Sequence, residues 1–234
     1  MKKKLVVLSG AGISAESGIR TFRDSDGLWN EYRIEDVATP EGFERDPELV
    51  LNFYNNMRKE HLLHQPNYGH VGLVELEKDF DVHVVTQNID DLHERAGSKN
   101  IIHLHGELMK VRSVNNPTLV TMLDDDHCEI HLGDTASDGA QLRPDIVWFG
   151  EAVPNMEKAM KVAAESDIFL IVGTSLNVYP AASLVQYTPA ETPVYVIDPK
   201  PVSVPNGWNF TQIQKGASEG MKDFIKLMHE KYGL

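Results

Sequence analysis

The chain has 234 residues, 41% hydrophobic and 24% charged, which is typical of a globular protein with one good-sized core, with or without a small satellite module. Its 22 basic and 35 acidic residues give a net charge of −13, which argues against direct nucleic-acid binding. This acidity is compatible with basic protein partners, and equally with a role in solubility alone. The longest apolar run, 168–172, is too short to span a membrane, and the single Cys128 excludes an internal disulfide and favours a reducing cytoplasm.

Short apolar runs alternate with helical stretches along most of the chain. This pattern predicts an α/β fold, with a parallel sheet covered by helices on both faces. Strands are predicted at 5–9, 82–86, 101–104, 146–148, 168–172 and 194–197. Helices are predicted at 48–64, 154–165, 180–186 and 217–231. At the start of the first helix, Asp46 is the capping residue and Pro47 lies in the first turn.

Two segments interrupt this alternation. Residues 24–65 hold polar loops and one long helix, and residues 111–142 are rich in Asp, Asn and Gly with weak strand character at 118–123. We predict that both are insertions and that together they form a small lobe. Residues 1–23, 66–110 and 143–234 would then form the sheet domain.

The first motif follows the first predicted strand and reads SGAGISAE from Ser9 to Glu16. It fits G-x-G-x-x-G/A, in which glycines let the backbone approach a pyrophosphate, although an ordinary tight turn also fits. In dehydrogenases an acidic residue about 20 residues further on, at the end of a second strand, binds the ribose. Glu31, Glu35 and Asp36 lie at about this distance, but no predicted strand precedes them. Asp198, after the strand at 194–197, is the alternative ribose ligand. The pattern therefore favours a Rossmann-like binding site in a protein that is not a standard hydride-transfer enzyme.

Two further motifs follow predicted strands. Residues 86–93 read TQNIDDLH, which places amide and carboxylate side chains at the end of a strand, where open α/β sheets bind ligands. Helix capping would explain Asn88 or Asp90 alone, but it would not explain the whole group of polar residues. The next block is HLHGE, from His103 to Glu107. His103 lies within the strand and is expected to be packed, with more effect on stability than on chemistry. His105 lies just past the strand end and is the better functional candidate.

Five blocks in this order resemble the sirtuin family. They read GAGISAESGIRTFR from Gly10, TQNIDD from Thr86, HLHGE from His103, VWFGE from Val147 and GTSLNVYPAA from Gly173. The AESGIRTFR wording is similar to the bacterial and mitochondrial branch that includes desuccinylases. The resemblance implies an NAD-dependent protein-lysine deacylase that acts on acyl-lysine proteins or peptides. Its products would be free lysine, nicotinamide and O-acyl-ADP-ribose.

The resemblance also implies residue roles. His105 would be the general base, with an ordinary pKa of about 6.5, and Asn88 would be catalytic beside it. Phe22 and Arg23 would lie on a mobile loop over NAD, and Asp198 stands where the family commonly has Asn. The residues implied to hold NAD are Gly10, Ala11, Gly12, Ala15, Phe22, Arg23, Gln87, Asn88, Asp90, Gly173, Thr174, Ser175, Asp198 and Ala217. Those implied to contact the substrate are Tyr54, Met57, Arg58, Val147, Trp148, Phe149, Gly150, Glu151, Asn177 and Val178.

The small lobe departs from the family pattern. Sirtuins commonly hold a structural zinc there with two cysteine pairs, and this chain has neither pair. We therefore expect a zinc-free lobe held by packing of Val114, Leu119, Val120, Met122 and Leu123. His127, Cys128 and His131, with an Asp from 124–126, are the alternative ligands. A solvated loop is favoured over that site, because a second ligand pair is missing.

A second departure concerns the acyl group. In the desuccinylase branch a Tyr-x-x-Arg motif binds an acyl carboxylate, but here Tyr54 is followed by Met57 at three residues and Arg58 at four. Arg58 either swings into the pocket or points to solvent while Met57 lines an apolar channel. We expect acetyl and longer apolar acyl groups to be the better substrates.

Two other function classes remain open. A protein ADP-ribosyltransferase would use the same NAD chemistry with another acceptor, and a non-catalytic module would bind NAD or ADP-ribose without releasing nicotinamide. The presence of both Asn88 and His105 favours the deacylase, because a binding module has no need of a base.

Overall fold

The computed structural model describes residues 2–21, 31–176, 178–202 and 210–233. The predicted contact residues Phe22, Arg23 and Asn177 lie outside this part of the chain. Within it the strands are β1 (Lys4–Ser9), β2 (Asp81–Thr86), β3 (Ile101–His103), β4 (Gly106–Ser113), β5 (Val120–Met122), β6 (Leu142–Ile146), β7 (Ile168–Val172), β8 (Val194–Ile197) and β9 (Phe210–Ile213). The α-helices are α1 (Ile34–Val37), α2 (Pro40–Arg45), α3 (Pro47–His61), α4 (Tyr68–Leu76), α5 (Leu92–Ala96), α6 (Met156–Ala164) and α7 (Ala217–Tyr232).

The main sheet has six parallel strands in the order β3-β2-β1-β7-β8-β9. Alternate residues of β1 enter different cores, because successive side chains of a strand point to opposite faces. Leu5 and Val7 pack with α4 and α7, whereas Val6 and Leu8 pack with α6 and the 3₁₀ helix Ala181–Tyr187. The predicted α/β fold with helices on both faces is confirmed.

The topology determines where a ligand can bind. From β1 the sheet grows outward through β2 and β3, and from β7 it grows in the other direction through β8 and β9. The carboxyl ends of β1 and β7 therefore border the switch point, where open α/β sheets form a binding crevice. The Gly10–Gly12 turn and the Gly173–Ser175 turn follow these two strands.

A second, antiparallel sheet has the order β5-β4-β6 and packs against α3. We call this sheet and helices α1 to α3 the small lobe. Its apolar contacts form two small clusters, one around Phe53 and Trp148 and one around Leu51, Val111 and Ile130. β4 already begins at Gly106, before the insertion predicted at 111–142, and the exact domain boundaries stay a prediction.

Several sequence predictions in this lobe are wrong. The strand predicted at 146–148 ends at Ile146 and belongs to the small sheet rather than the parallel one. Val114, Val120 and Met122 are exposed, so they do not hold the lobe together. Their apolar character misled the prediction because short edge strands can place such residues on the solvent face.

The loop predicted to be solvated is partly buried, since Cys128 and Ile130 pack inside. His127 and His131 are exposed, and His127 pairs with Asp124 at 2.9 Å. In the described parts of the chain, Cys128 and its neighbouring histidines do not converge into a group with metal-ligand geometry. The alternative zinc site is therefore not assembled in this structure.

α4, β4 and β9 were not predicted from the sequence, and the helix predicted at 180–186 is a 3₁₀ helix, Ala181–Tyr187. α4 contains two glycines, Gly69 and Gly72, which weaken a helical pattern. Gly72 is required by packing, because a Cβ there would meet Met221 on α7. No helix in the described ranges has the length and apolar character to cross a membrane.

Candidate functional site

A cavity of about 530 Å³ opens at the carboxyl edge of the main sheet and extends to the small lobe. Its volume is in the range of small-molecule sites. It brings together most of the predicted site residues, namely Gly10, Ala11, Gly12, Ala15, Tyr54, Met57, Gln87, Asn88, His105, Val147, Trp148, Phe149, Gly150, Glu151, Gly173, Thr174, Ser175, Val178, Asp198 and Ala217. Two predicted residues lie elsewhere. Asp90 borders an adjoining cavity of about 70 Å³ together with Asn88, and Arg58 is buried behind the wall.

The turns that follow β1 and β7 are in close contact with each other at the floor of this cavity. The Gly12 N–H donates to the Gly173 carbonyl over 2.8 Å, and a Cβ on Gly12 would lie 2.7 Å from the Gly173 Cα. Gly173 has a φ of 62°, a conformation that favours glycine, and a Cβ there would clash with the Ile13 nitrogen. Both glycines are therefore needed for this close contact, which leaves main chain at the cavity surface where a phosphate can approach.

Asn88 anchors a polar cluster beside this turn. Its side-chain nitrogen lies 3.2 Å from both the Gly10 carbonyl and the Ser14 Oγ. Ser14 in turn donates to the Asp90 carboxylate over 2.9 Å. All three side chains are buried, so each of these hydrogen bonds satisfies a group that would be costly to leave unpaired. Ser14 lies within the first of the five blocks, but no role for it was predicted from the sequence.

Two buried histidines pack next to this polar cluster. His93 lies 2.9 Å from the Ser9 Oγ, and its ring contacts that of His70 at a centroid distance of 5.0 Å. Burial lowers the pKa of His70 to about 4 and that of His93 well below its usual range, so both are neutral. Burial also raises the pKa of Asp90. This cluster was not predicted from the sequence, because a single histidine on a helix, such as His70 on α4 or His93 on α5, is typical of ordinary packing.

His105 is presented to the cavity with a defined tautomer. Its Nδ1 lies 2.9 Å from the Gln87 carbonyl, which can only accept, so Nδ1 carries the hydrogen. Nε2 then has a free lone pair and no hydrogen-bond partner among the described residues. Burial lowers the pKa of His105 below the ordinary value that we expected from the sequence. The ring is therefore a neutral base at pH 7.

The turn 147–151 forms the wall between sheet and lobe. Arg143 pairs with both Glu151 carboxylate oxygens, at 2.7 and 3.0 Å, and stacks 3.4 Å from the centroid of the Trp148 ring. Glu151 also accepts from the Trp148 main-chain N–H over 2.8 Å. Although Glu151 borders the cavity, these contacts engage both of its oxygens in holding the turn. Phe149 remains 42% exposed at the cavity rim.

α3 presents an apolar face to the cavity through Phe53, Tyr54 and Met57. Both alternatives for Arg58 are wrong, since it neither enters the pocket nor reaches solvent. Its side chain is 0% exposed and donates from Nε to the Leu108 carbonyl over 2.7 Å and from Nη1 to the Asn55 Oδ1 over 2.8 Å. Burial lowers its pKa to about 10, which leaves it charged at pH 7. Arg58 follows Met57 directly on α3, and the rotation of about 100° between consecutive helical residues points it away from the cavity and into the lobe interior.

The fold and the cavity define a protein that binds a dinucleotide at the sheet's switch point and offers it a neutral histidine base. Comparison with known proteins identifies the family. The model for the Sir2 family matches residues 10–180, and the chain belongs to that family. The sirtuin resemblance of the five blocks is thereby confirmed.

Individual relatives agree with this assignment over nearly the whole chain. The NAD-dependent protein deacylase of Bacteroides thetaiotaomicron is 57% identical over 229 residues, which cover 97% of this chain and 98% of the relative. A solved Sir2 homologue in complex with NAD has a TM-score of 0.86 at 38% identity and covers 98% of this chain and 91% of its own. A Sir2 structure with a deacetylated peptide and 3′-O-acetyl-ADP-ribose has a TM-score of 0.81 at 28% identity, covering 97% and 94%.

Proposed function

We infer that this chain is an NAD-dependent protein-lysine deacylase that acts on acyl-lysine proteins or peptides. The observation that carries this conclusion is the convergence of the Gly10–Gly12 turn, Asn88 and the neutral His105 on one cavity. Its deacylase relatives span nearly the same length as this chain, which supports the same activity for the whole chain. A location in the reducing cytoplasm remains our prediction, and it depends on the single cysteine.

The cavity fits NAD at its floor. Gly10 and Gly12 leave main chain accessible to the pyrophosphate, and Asp198 follows β8 where an adenosine ribose would lie. Gly173, Thr174, Ser175 and Ala217 border the same half of the cavity. Gln87 contacts Thr174 over 3.1 Å and thereby links this half to the Asn88 cluster. We assign the nicotinamide end to Asn88 and Asp90, because the adjoining smaller cavity lies beside both.

His105 acts as the general base. NAD supplies a ribose carbon that is activated by a cationic nicotinamide leaving group. The Gln87 carbonyl fixes the His105 ring with Nδ1 protonated, so Nε2 is the atom that takes a proton from a ribose hydroxyl. Because burial disfavours the imidazolium, the ring stays unprotonated and ready to act in neutral solution.

The acyl-lysine would enter between the 147–151 turn and the region around Val178, with its acyl group directed towards α3. Phe53, Tyr54 and Met57 give the α3 wall an apolar surface, and Tyr54 is tied to Trp148 by a 3.0 Å hydrogen bond. Arg58 is fully buried, lines neither cavity and is held by Leu108 and Asn55, so its charge does not face an acyl group there. Burying an acyl carboxylate without a paired cation is costly. We therefore propose apolar acyl groups, acetyl and longer, as the preferred substrates.

Incubation with NAD and one peptide carrying acetyl-, hexanoyl- or succinyl-lysine tests both parts of the proposal. We expect nicotinamide release and deacylated peptide by mass spectrometry, with higher kcat/KM for the two apolar groups than for succinyl. The absence of NAD-dependent deacylation with every peptide would overturn the deacylase. A succinyl preference would leave the deacylase intact and overturn the proposed acyl specificity alone.

A further inference from the structure

His103, two residues before the proposed base, has contacts that exceed those of an ordinary core residue. It is 7% exposed, and its Nδ1 lies 3.1 Å from the Asn88 carbonyl while its Nε2 lies 2.8 Å from the Glu94 carboxylate. Both partners can only accept a hydrogen bond. The ring satisfies both only as an imidazolium with a proton on each nitrogen.

His103 and His105 together form what we call the histidine clasp. His105 binds the Gln87 carbonyl through Nδ1, and His103 binds the Asn88 carbonyl through Nδ1. Two histidines at the end of β3 therefore hold two consecutive carbonyl groups of the loop that follows β2. The main chain of His103 is itself fixed, because the Asn155 side chain donates to its carbonyl over 2.8 Å. The loop that carries Asn88 is therefore positioned from the β3 side.

We propose that His103 is a positioning residue for this reaction: held as an imidazolium by Glu94, it fixes the Asn88 peptide and so orders the pocket for the nicotinamide end of NAD. This role rests on the proposed function, since it assumes that Asn88 faces nicotinamide. Asn88 bridges Gly10 and Ser14 with its side chain, and a shift of its peptide displaces both contacts.

The charges around His103 favour its protonated form. Burial alone would lower the pKa of His103, but the hydrogen bond and charge of Glu94 on α5, with Glu107 on β4, raise it. Lys110 pairs with Glu107 over 2.6 Å and offsets part of that carboxylate's effect. The His103 charge also reaches two buried groups of the pocket: it offsets a small part of the rise that burial causes in the pKa of Asp90, and it adds to the effect of burial in lowering the pKa of His93.

Loss of the proton has a specific consequence. A neutral ring has one N–H, and the Glu94 carboxylate is a stronger acceptor than a carbonyl. The remaining proton therefore stays on Nε2 with Glu94, and the bond to Asn88 is lost. In Glu94→Gln the amide can donate to Nε2 instead, which returns the proton to Nδ1 and restores the Asn88 bond at any pH.

Two matched substitutions separate the two contacts. The amide nitrogen of His103→Asn approximates the position of Nδ1 and keeps the bond to Asn88, whereas that of His103→Gln approximates Nε2 and keeps only Glu94. We expect kcat/KM for NAD, measured by nicotinamide release, to fall roughly tenfold in His103→Gln and no more than about threefold in His103→Asn. KM for the acyl peptide should be unchanged in both. Equal losses in the two variants, or a larger loss in His103→Asn, would overturn the proposal.

The pH profile and the ring protonation give a second test that a purely packed histidine would not pass. Wild type should lose kcat/KM for NAD on the alkaline side, and Glu94→Gln should retain it there. NMR of the His103 ring nitrogens should find both protonated at pH 7 in wild type. If only one ring nitrogen is protonated at pH 7, or if kcat/KM for NAD changes in the same way at alkaline pH in both proteins, the positioning role of His103 is contradicted. Because the NMR readout needs no turnover, it remains decisive even if the chain proves not to deacylate.

Discussion

The main sheet is stabilised by apolar strands buried on both faces, whereas the small lobe combines two small apolar clusters with buried polar contacts. Every residue of β7 is 0% exposed, and helices pack on either side of it. In the lobe, Asn55 pairs with both the N–H and the carbonyl of Ile130, at 3.1 and 2.9 Å, and Arg58 links it to Leu108. In this lobe, which has no paired cysteines, side-chain hydrogen bonds from α3 to main-chain groups hold β4 and the segment around Ile130 in place.

The two regions also contribute differently to function. The main sheet provides the glycine turns and the Asn88 cluster, whose positions follow from the ends of parallel strands. The lobe provides the α3 wall and, through Arg143 and Glu151, the shape of the 147–151 turn. Changes at the sheet edge should therefore alter the chemistry, and changes in the lobe should alter stability or acyl selectivity.

The largest expected effect is at the sheet edge. His105→Ala should lower deacylation by roughly 10²-fold or more, the scale of a lost general base, while NAD affinity measured by calorimetry changes little. His127→Ala, an exposed histidine of the lobe, serves as the control and should match wild type. Near-normal turnover in His105→Ala would remove this residue from the mechanism.

Next in size is a loss of stability in the lobe. Arg58→Met removes donors from the buried Leu108 carbonyl and Asn55 amide, and we expect the free energy of unfolding to fall by about 2–4 kcal/mol in urea titration. The neighbouring Lys59→Met, which removes only a surface ion pair with Glu129, should cost about 0.5 kcal/mol or less. Similar costs for the two variants would mean that the Arg58 contacts do not hold the lobe.

A smaller effect concerns acyl selectivity. Met57→Arg places a cation on the cavity face of α3, and it should raise the ratio of succinyl to acetyl kcat/KM by roughly tenfold. Met57→Leu keeps that face apolar and is the matched control. If wild type already prefers succinyl and Arg58→Ala abolishes that preference, then Arg58 reaches the pocket during catalysis and our account of α3 is wrong.

The fourth effect is a pH dependence of stability. The pKa of His103 is raised in the folded protein by Glu94, against the effect of burial, so this pair stabilises the fold fully below about pH 6.5, the unfolded value. That contribution is lost as the pH rises through the raised folded pKa. The difference in Tm between wild type and Glu94→Gln should therefore be largest in mild acid, where Glu94 is still a carboxylate, and shrink in alkali. A difference that is constant with pH would show that Glu94 does not hold the proton.

The smallest expected effect is that of metal removal. Because the lobe has no cysteine pairs, dialysis against a chelator should leave Tm unchanged, and elemental analysis should find far less than one zinc per chain. About one zinc per chain, with unfolding on chelation, would instead make ligands of His127, Cys128 and His131.

Local patterns were sufficient to predict five of the six main-sheet strands, and the family resemblance supplied most of the cavity residues. The apolar runs placed the central strands, and blocks that follow parallel strands must meet at one edge, as Gly10, Asn88, His105 and Gly173 do. The lobe was harder to predict because its order depends on long-range contacts of single polar residues. The contact between Asn55 and Ile130, 75 residues apart, has no local signature.

The same limit explains the error at Arg58 and the contact of His103 that the sequence did not predict. Spacing on a helix placed Arg58 near the pocket but did not reveal the Leu108 carbonyl that draws it into the lobe. The pattern for His103 indicated packing, and the ring is indeed buried. Its contact with Asn88 depends on the approach of two loops, which only the tertiary structure shows.

This site is expected to join NAD cleavage to removal of an acyl group from lysine. The stoichiometry of one reaction with NAD and acetyl-lysine peptide, followed by mass spectrometry of peptide, nucleotide and protein, tests this coupling. We expect equal amounts of nicotinamide, deacetylated peptide and O-acetyl-ADP-ribose, with no ADP-ribose left on protein. Nicotinamide release that labels protein with ADP-ribose while the peptide stays acetylated would contradict it, as would NAD binding without any nicotinamide release.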